Sequence, residues 1–149
     1  MRAVIQRVKE ASVEVEGQIV GRIGSGLLVL LGIHRSDTAD CIPWMIDKII
    51  NLRIFEKEDG KFDKSLLDIN GELLIVSQFT LYGDCSKGRR PSFSEAMEAT
   101  HAKILFELFI EKAKEVISHV ETGNFQTSMD VSLVNEGPVT VIVDSKKEA

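Results

Sequence analysis

Gly26-Leu27-Leu28-Val29-Leu30-Leu31-Gly32-Ile33 carries no polar side chain at any position. The run is far shorter than the roughly 20 residues that span a bilayer. It lacks polar–apolar alternation, so it reads as a strand covered on both faces. Such a strand needs neighbours, and the flanking sequence supplies them. Residues 3–15 are strand-like, with Ser12-Val13-Glu14-Val15-Glu16 alternating as a half-buried strand should. Gly17-Gln18 offers a tight turn into Ile19-Val20-Gly21-Arg22-Ile23, and Gly24-Ser25-Gly26 closes the hairpin.

Downstream, Asp37 suits a helix N-cap, and Ile42, Met45, Ile46, Ile49 and Ile50 mark one face of a helix reaching about residue 52. Pro43 falls in its first turns, where proline is tolerated. A short strand at Arg53-Ile54-Phe55 precedes a polar stretch, residues 56–65, whose Asp59-Gly60 marks a loop or hairpin tip. Residues 72–79 form another apolar strand. Ser92-Phe93-Ser94-Glu95 has the form of a capping box, and Met97, Ile104, Leu105, Leu108, Phe109, Val116 and Ile117 then predict a helix to about residue 118. Two strands, 129–134 and 139–143, follow with a turn at Asn135-Glu136-Gly137-Pro138, and residues 145–149 read as a fraying tail. The strands arrive in groups and no repeat is present. The expectation is an α+β fold: a single compact domain over 1–149, mostly antiparallel sheet with two main helices.

Composition narrows the function. At 149 residues and 44% hydrophobic content, the chain can bury a substantial core. Gln6 and Arg7 interrupt the start before an export signal could develop, and two distant cysteines, Cys41 and Cys85, form neither a CxxC pair nor a disulfide framework. A reducing cytoplasm and no membrane are expected. A net charge of -5 opposes general nucleic-acid binding, so no DNA partner is expected, although a local basic patch is compatible with it. His34, His101 and His119 show no metal-ligand spacing, and GxGxxG, GxxxxGK[ST] and GxSxG are all missing. No metal, no cofactor and no side-chain triad are expected.

Three clusters remain. Ser77-Gln78-Phe79-Thr80 ends an apolar strand, where a rigid core can present a hydroxyl, an amide and backbone N–H groups to one point; the alternative is a capped strand end. Thr80 lacks an adjacent base and is a weak nucleophile candidate, so positioned amides are the better reading. Gly137-Pro138 reads as a turn or as a place of close backbone approach. Lys87, Arg89 and Arg90, in Lys87-Gly88-Arg89-Arg90, are a solvated loop or a phosphate contact.

Taken with Ala3-Val4-Ile5-Gln6-Arg7-Val8, Asn51-Leu52-Arg53-Ile54-Phe55, Arg90-Pro91-Ser92-Phe93 and Leu133-Val134-Asn135 leading into Gly137-Pro138-Val139-Thr140, these blocks make the chain resemble the D-aminoacyl-tRNA deacylases nearly end to end. The resemblance implies hydrolysis of the ester joining a D-amino acid to tRNA, with aminoacyl-tRNA as the partner. It implies that Ser77, Gln78, Phe79 and Thr80 line the aminoacyl pocket and that Gly137-Pro138 is cis. It further implies that this dipeptide enters the neighbouring subunit's pocket, so that a homodimer carries two sites at its interface. An L side chain would strike the dipeptide's carbonyls, a D side chain would point away, and glycyl-tRNA would also be hydrolysed to some extent. The terminal 2'-hydroxyl of the tRNA would stand in for a protein base. Two departures from the family pattern bear on how the terminal adenosine is seated: Phe62-Asp63 where Met-Asn is common, and Gln126-Thr127-Ser128 where small residues are common. Two other readings stay open, a non-catalytic module that holds aminoacyl-tRNA and a thiol hydrolase using Cys85.

Overall fold

In the computed structural model, which describes residues 1–146, one long strand organises the sheet. β1 (Arg2–Val15) turns back through Glu16-Gly17 into β2 (Gln18–Ile23), and β3 (Gly26–Gly32) then follows the other half of the same β1 edge. The opposite edge of β1 is taken along nearly its whole length by β8 (Asp130–Asp144), also antiparallel. β6 (Glu72–Ser77) pairs parallel with β3, and β7 (Val120–Thr122) parallel with β6. The sheet is therefore mixed: antiparallel around β1, parallel on the far side. β2 curls across β6 and β7, which brings the sheet close to a barrel. Gly21 makes that crossing possible, since a Cβ there would lie 2.5 Å from the Thr122 carbonyl oxygen.

The two-sided burial expected for residues 26–33 is observed. Leu27, Val29 and Leu31 face one cluster with Leu73 and Ile75, while Leu28 faces a second with Leu74 and Val76. The first cluster lies beneath the helices. The second includes Val8, Ala11, Val13 and Ile23, on the other face of the sheet. Each fully buried side chain of this size stabilises the fold by about 1.5–3 kcal/mol.

α1 (Cys41–Asn51) buries the five positions expected of it, with Pro43 in its first turn. Its N-cap is Asp40 and not Asp37. Asp37 is buried because its carboxylate meets the Met1 α-ammonium at 2.7 Å and accepts the His34 N–H at 2.7 Å. The polar stretch after Phe55 is a small hairpin, β4 (Phe55–Glu56) with β5 (Phe62–Lys64).

α2 (Ala99–Val116) starts later than expected. The proposed capping box is spent elsewhere: Ser92 exchanges backbone hydrogen bonds with Asp84, and Glu95 pairs with His34 and Arg35. Glu98 caps the helix instead, accepting the Thr100 and His101 N–H groups. The buried stripe is Ala102, Phe106, Phe109 and Ala113, while Ile104 and Val116 are exposed. Small alanines let the helix lie close to its support, which a count of large apolar residues overlooks. The turn expected at residues 135–138 is absent, because β8 runs through it unbroken, with register shifts against β1. Ser145 hydrogen-bonds Met1, and residues 147–149 of the expected tail lie outside the described residues.

Candidate active site

β6 ends at Ser77, and the chain passes directly into a 3-10 turn, Phe79–Tyr82. The Gln78 N–H donates to the Leu31 carbonyl at 2.8 Å, so the sheet fixes this exit point. A strand that stops here leaves the first N–H groups of the turn without partners inside it. Gln78 Nε2 donates to Thr80 Oγ1. An amide donor cannot take the threonine proton, so nothing in this pair activates Thr80 as a nucleophile.

Ser77, Gln78 and Phe79 line a cleft of about 750 Å³. Thr80 is outside its lining but is tied to it through Gln78. Phe93 and residues 96–99 form another part of the wall, and Phe125, Gln126, Thr127 and Met129 a third, with Val76, Val131 and Ile33 between them. Phe93 meets Phe79 edge to face at 5.2 Å. Its segment is tethered by Arg35 N–H to Glu95 carbonyl at 2.9 Å and Met97 N–H to Ile33 carbonyl at 3.0 Å. Of the two departures from the family pattern, Gln126 and Thr127 lie on the cleft wall; Phe62 does not, and stacks over the Arg7 guanidinium at 5.6 Å.

Among the described residues that line the cleft, Glu98 is the one ionisable side chain. The Thr100 N–H, at 3.0 Å, holds its carboxyl below the usual range, with help from the His101 N–H and ring. No histidine reaches the cleft. His34 sits against Tyr82 and Glu95, His101 is exposed on α2, and His119 lies near Glu72. Burial drives the Tyr82 phenol far above its ordinary value. Cys85 is exposed and outside the cleft lining, on the same excursion between Asp84 and Ser92 as Lys87, Arg89 and Arg90. That basic loop adjoins the cleft through Phe93.

Gly137-Pro138 is a cis peptide, exposed in the middle of β8, and does not line the cleft of its own chain. Its flanks are held firmly. Asn135 Oδ1 accepts the Val139 N–H at 2.7 Å, and its Nδ2 donates to Thr140 Oγ1 at 3.0 Å. Arg7, only 3% exposed, donates to the Glu136 carbonyl at 3.0 Å and the Ile54 carbonyl at 2.9 Å. Gly137 has φ +131, and a Cβ on it would lie 2.9 Å from Arg7 Nη2. The sequence alone assigns no role to Arg7 and Asn135, which hold the flanks of the dipeptide, or to Glu98, which lines the cleft. The clue for Arg7 was a charged residue inside an apolar strand; for Asn135, a short amide two residues before Gly-Pro.

The family model described as D-Tyr-tRNA(Tyr) deacylase matches residues 4–144. The chain belongs to this family. D-aminoacyl-tRNA deacylases of Thermosipho africanus (strain TCF52B) and Clostridium tetani (strain Massachusetts / E88) are 63% and 58% identical to it, with 99% of each chain covered. A solved structure titled "c-Myc DNA Unwinding Element Binding Protein" superposes with a TM-score of 0.94 at 41% identity, covering 99% of this chain and 100% of that one. Another, titled "Structural Analysis of a probable eukaryotic D-amino acid tRNA deacylase", superposes at 0.81 with 20% identity, covering 95% and 97%, and is a match of fold. As a member of the deacylase family, the chain is a hydrolase. No described helix is long and apolar enough to cross a membrane.

Proposed function

We propose that this deacylase acts on D-aminoacyl-tRNA, and that its site is completed by Gly137-Pro138 of a second copy of the chain. The observation that carries the reading is a separation: the cleft has its walls and amides, while the firmly held dipeptide of the same chain is exposed and outside that cleft's lining. A two-fold dimer resolves it by exchanging the dipeptides. Each carbonyl wall would then face the α-carbon of the aminoacyl group, striking an L side chain and sparing a D one. Glycine has nothing to strike, so glycyl-tRNA is hydrolysed to some extent.

Chemistry asks for little more than an oriented water and a stabilised oxyanion, because an aminoacyl ester is already activated. The N–H groups of Phe79 and Thr80, at the start of the 3-10 turn, suit the oxyanion. With no histidine in the cleft and Thr80 without a base, the 2'-hydroxyl of the terminal ribose is the natural proton relay. Lys87, Arg89 and Arg90 contact tRNA phosphates, and the cytoplasm is the working compartment.

Purified protein incubated with D-tyrosyl-tRNA and L-tyrosyl-tRNA should release D-tyrosine and leave the L ester intact. Each 1.4 kcal/mol of clash corresponds to about tenfold discrimination. Binding of D-tyrosyl-tRNA without release would favour a holding module, and equal hydrolysis of both would remove the steric wall. Sedimentation at working concentration should show a dimer.

A further inference from the structure

The cleft carries one formal charge among its described lining residues, and that charge is negative. A tRNA is a polyanion, so a carboxylate beside its sugar–phosphate end would repel it. Positive charge, which a carboxylate attracts most strongly, is carried by the aminoacyl end of the substrate, which bears an α-ammonium and, in some substrates, a cationic side chain. Resting on the deacylase reading above, we infer that Glu98 is a specificity-determining residue that attracts an alkylammonium group of the aminoacyl moiety.

Three observations make this carboxylate different from an ordinary surface glutamate. It is fixed in place at the α2 N-cap, with Oε1 accepting from Thr100 N–H at 3.0 Å and Oε2 from His101 N–H at 3.3 Å. Those bonds lower its affinity for a proton, so it offers charge and is a poor general base. It also ends a segment whose earlier residues, Lys87, Arg89 and Arg90, are cationic, so residues 87–98 run in sequence from positive to negative and enter the cleft lining at Phe93. That polarity matches a substrate with phosphates at one end and an ammonium at the other. His101 Nδ1, 3.0 Å from Glu98 Oε2, is the neighbouring titratable group and competes for the carboxylate when protonated.

The test uses Glu98→Ser and Glu98→Asp. Serine and aspartate both cap helices well, so α2 should remain and thermal melting can verify it. Steady-state kinetics on D-tyrosyl-tRNA and D-lysyl-tRNA then separate the two sources of ammonium. Glu98→Ser should raise KM about two- to fivefold with kcat nearly unchanged, the range for an exposed ion pair made equally with bound substrate and transition state. An equal rise for both substrates assigns the α-ammonium; a rise confined to D-lysyl-tRNA assigns the side chain. Glu98→Asp should stay close to wild type, and added salt should shrink the difference between variants. Unchanged KM for both substrates in Glu98→Ser, or equal losses in Ser and Asp variants, would overturn the inference while leaving the deacylase reading intact. Wild-type protein inactive on both D substrates would instead sink that reading, and the inference with it.

Discussion

The side chain of Asn135 clasps the backbone of Val139 across Gly137-Pro138: its Oδ1 accepts the Val139 N–H at 2.7 Å and its Nδ2 donates to the Val139 carbonyl at 3.3 Å. A side-chain amide here takes over the backbone pairing that β1 cannot supply where the register shifts. Asn135→Ala leaves the Val139 N–H without its acceptor, at a cost of about 1–3 kcal/mol, or several degrees in melting temperature for a chain of this size. A displacement near 1 Å at the dipeptide would cost about 100-fold in kcat/KM on D-tyrosyl-tRNA. Asn135→Asp keeps the acceptor and should fall between the two. Equal activity in all three proteins would show that the clasp has no bearing on the site.

Gly137→Ala should be worse tolerated. Its φ of +131 is disfavoured for an L residue, and the new methyl would meet Arg7 Nη2 at 2.9 Å and Val139 Cγ2 at 3.0 Å. Arg7 cannot swing aside without releasing the Glu136 and Ile54 carbonyls. Backbone strain alone costs about 1–3 kcal/mol. The urea midpoint should drop, and the ratio of D- to L-tyrosyl-tRNA hydrolysis should fall with it. A midpoint at the wild-type value would contradict the crowding.

Thr80→Ala should retain substantial activity, because Gln78 gives Thr80 a donor and no base. Single-turnover hydrolysis of D-tyrosyl-tRNA is the measurement. Complete loss with an unaltered melting curve would restore a threonine nucleophile. Cys85→Ser, altered outside the cleft lining, should be indistinguishable from wild type.

Acid sensitivity should trace in part to Asp68. Its carboxylate accepts the Ser65 N–H at 2.9 Å, and this bond holds its carboxyl below the ordinary 3.8. A folded-state value below that of the unfolded chain means the unfolded chain takes up the proton more readily. The stabilisation is present above the unfolded value and is lost as pH falls through the folded one. From about pH 5 to about pH 3, wild-type melting temperature should therefore decline more steeply than that of Asp68→Asn. Parallel declines would remove Asp68 from the acid transition.

Where hydrophobic pattern decides structure, the sequence was legible. Leu27 to Leu31 could only be a doubly covered strand, and Ile42, Met45, Ile46, Ile49 and Ile50 could only be one face of a helix. Where polar residues had rival partners, it was not. Ser92 and Glu95 matched a helix cap, yet the first is taken by Asp84 and the second by His34 and Arg35. Asp37 matched one too, but the Met1 ammonium draws it inward. Gly137-Pro138 looked like a turn because the pattern cannot show that Asn135 and Arg7, 128 positions apart by their numbers, converge to keep the strand going. The site followed the same division. That Ser77 to Phe79 sit together at an exposed strand end could be read from the pattern, whereas the place of Glu98 in the cleft lining could not, because its neighbours there come from distant segments.

The pairing of β8 with β1 on either side of the dipeptide, at Asn135 and at Thr140, sets the timescale on which it can move. Segments on loop tips open cheaply and often, whereas a stretch anchored at both ends to a central strand exchanges its amides only when much of the molecule comes apart. Val139 N–H should be among the slowly exchanging protons. The part of the protein that would judge handedness would then be stationary during turnover, leaving arrival and departure of the tRNA to be governed by the exposed segment between Asp84 and Ser92.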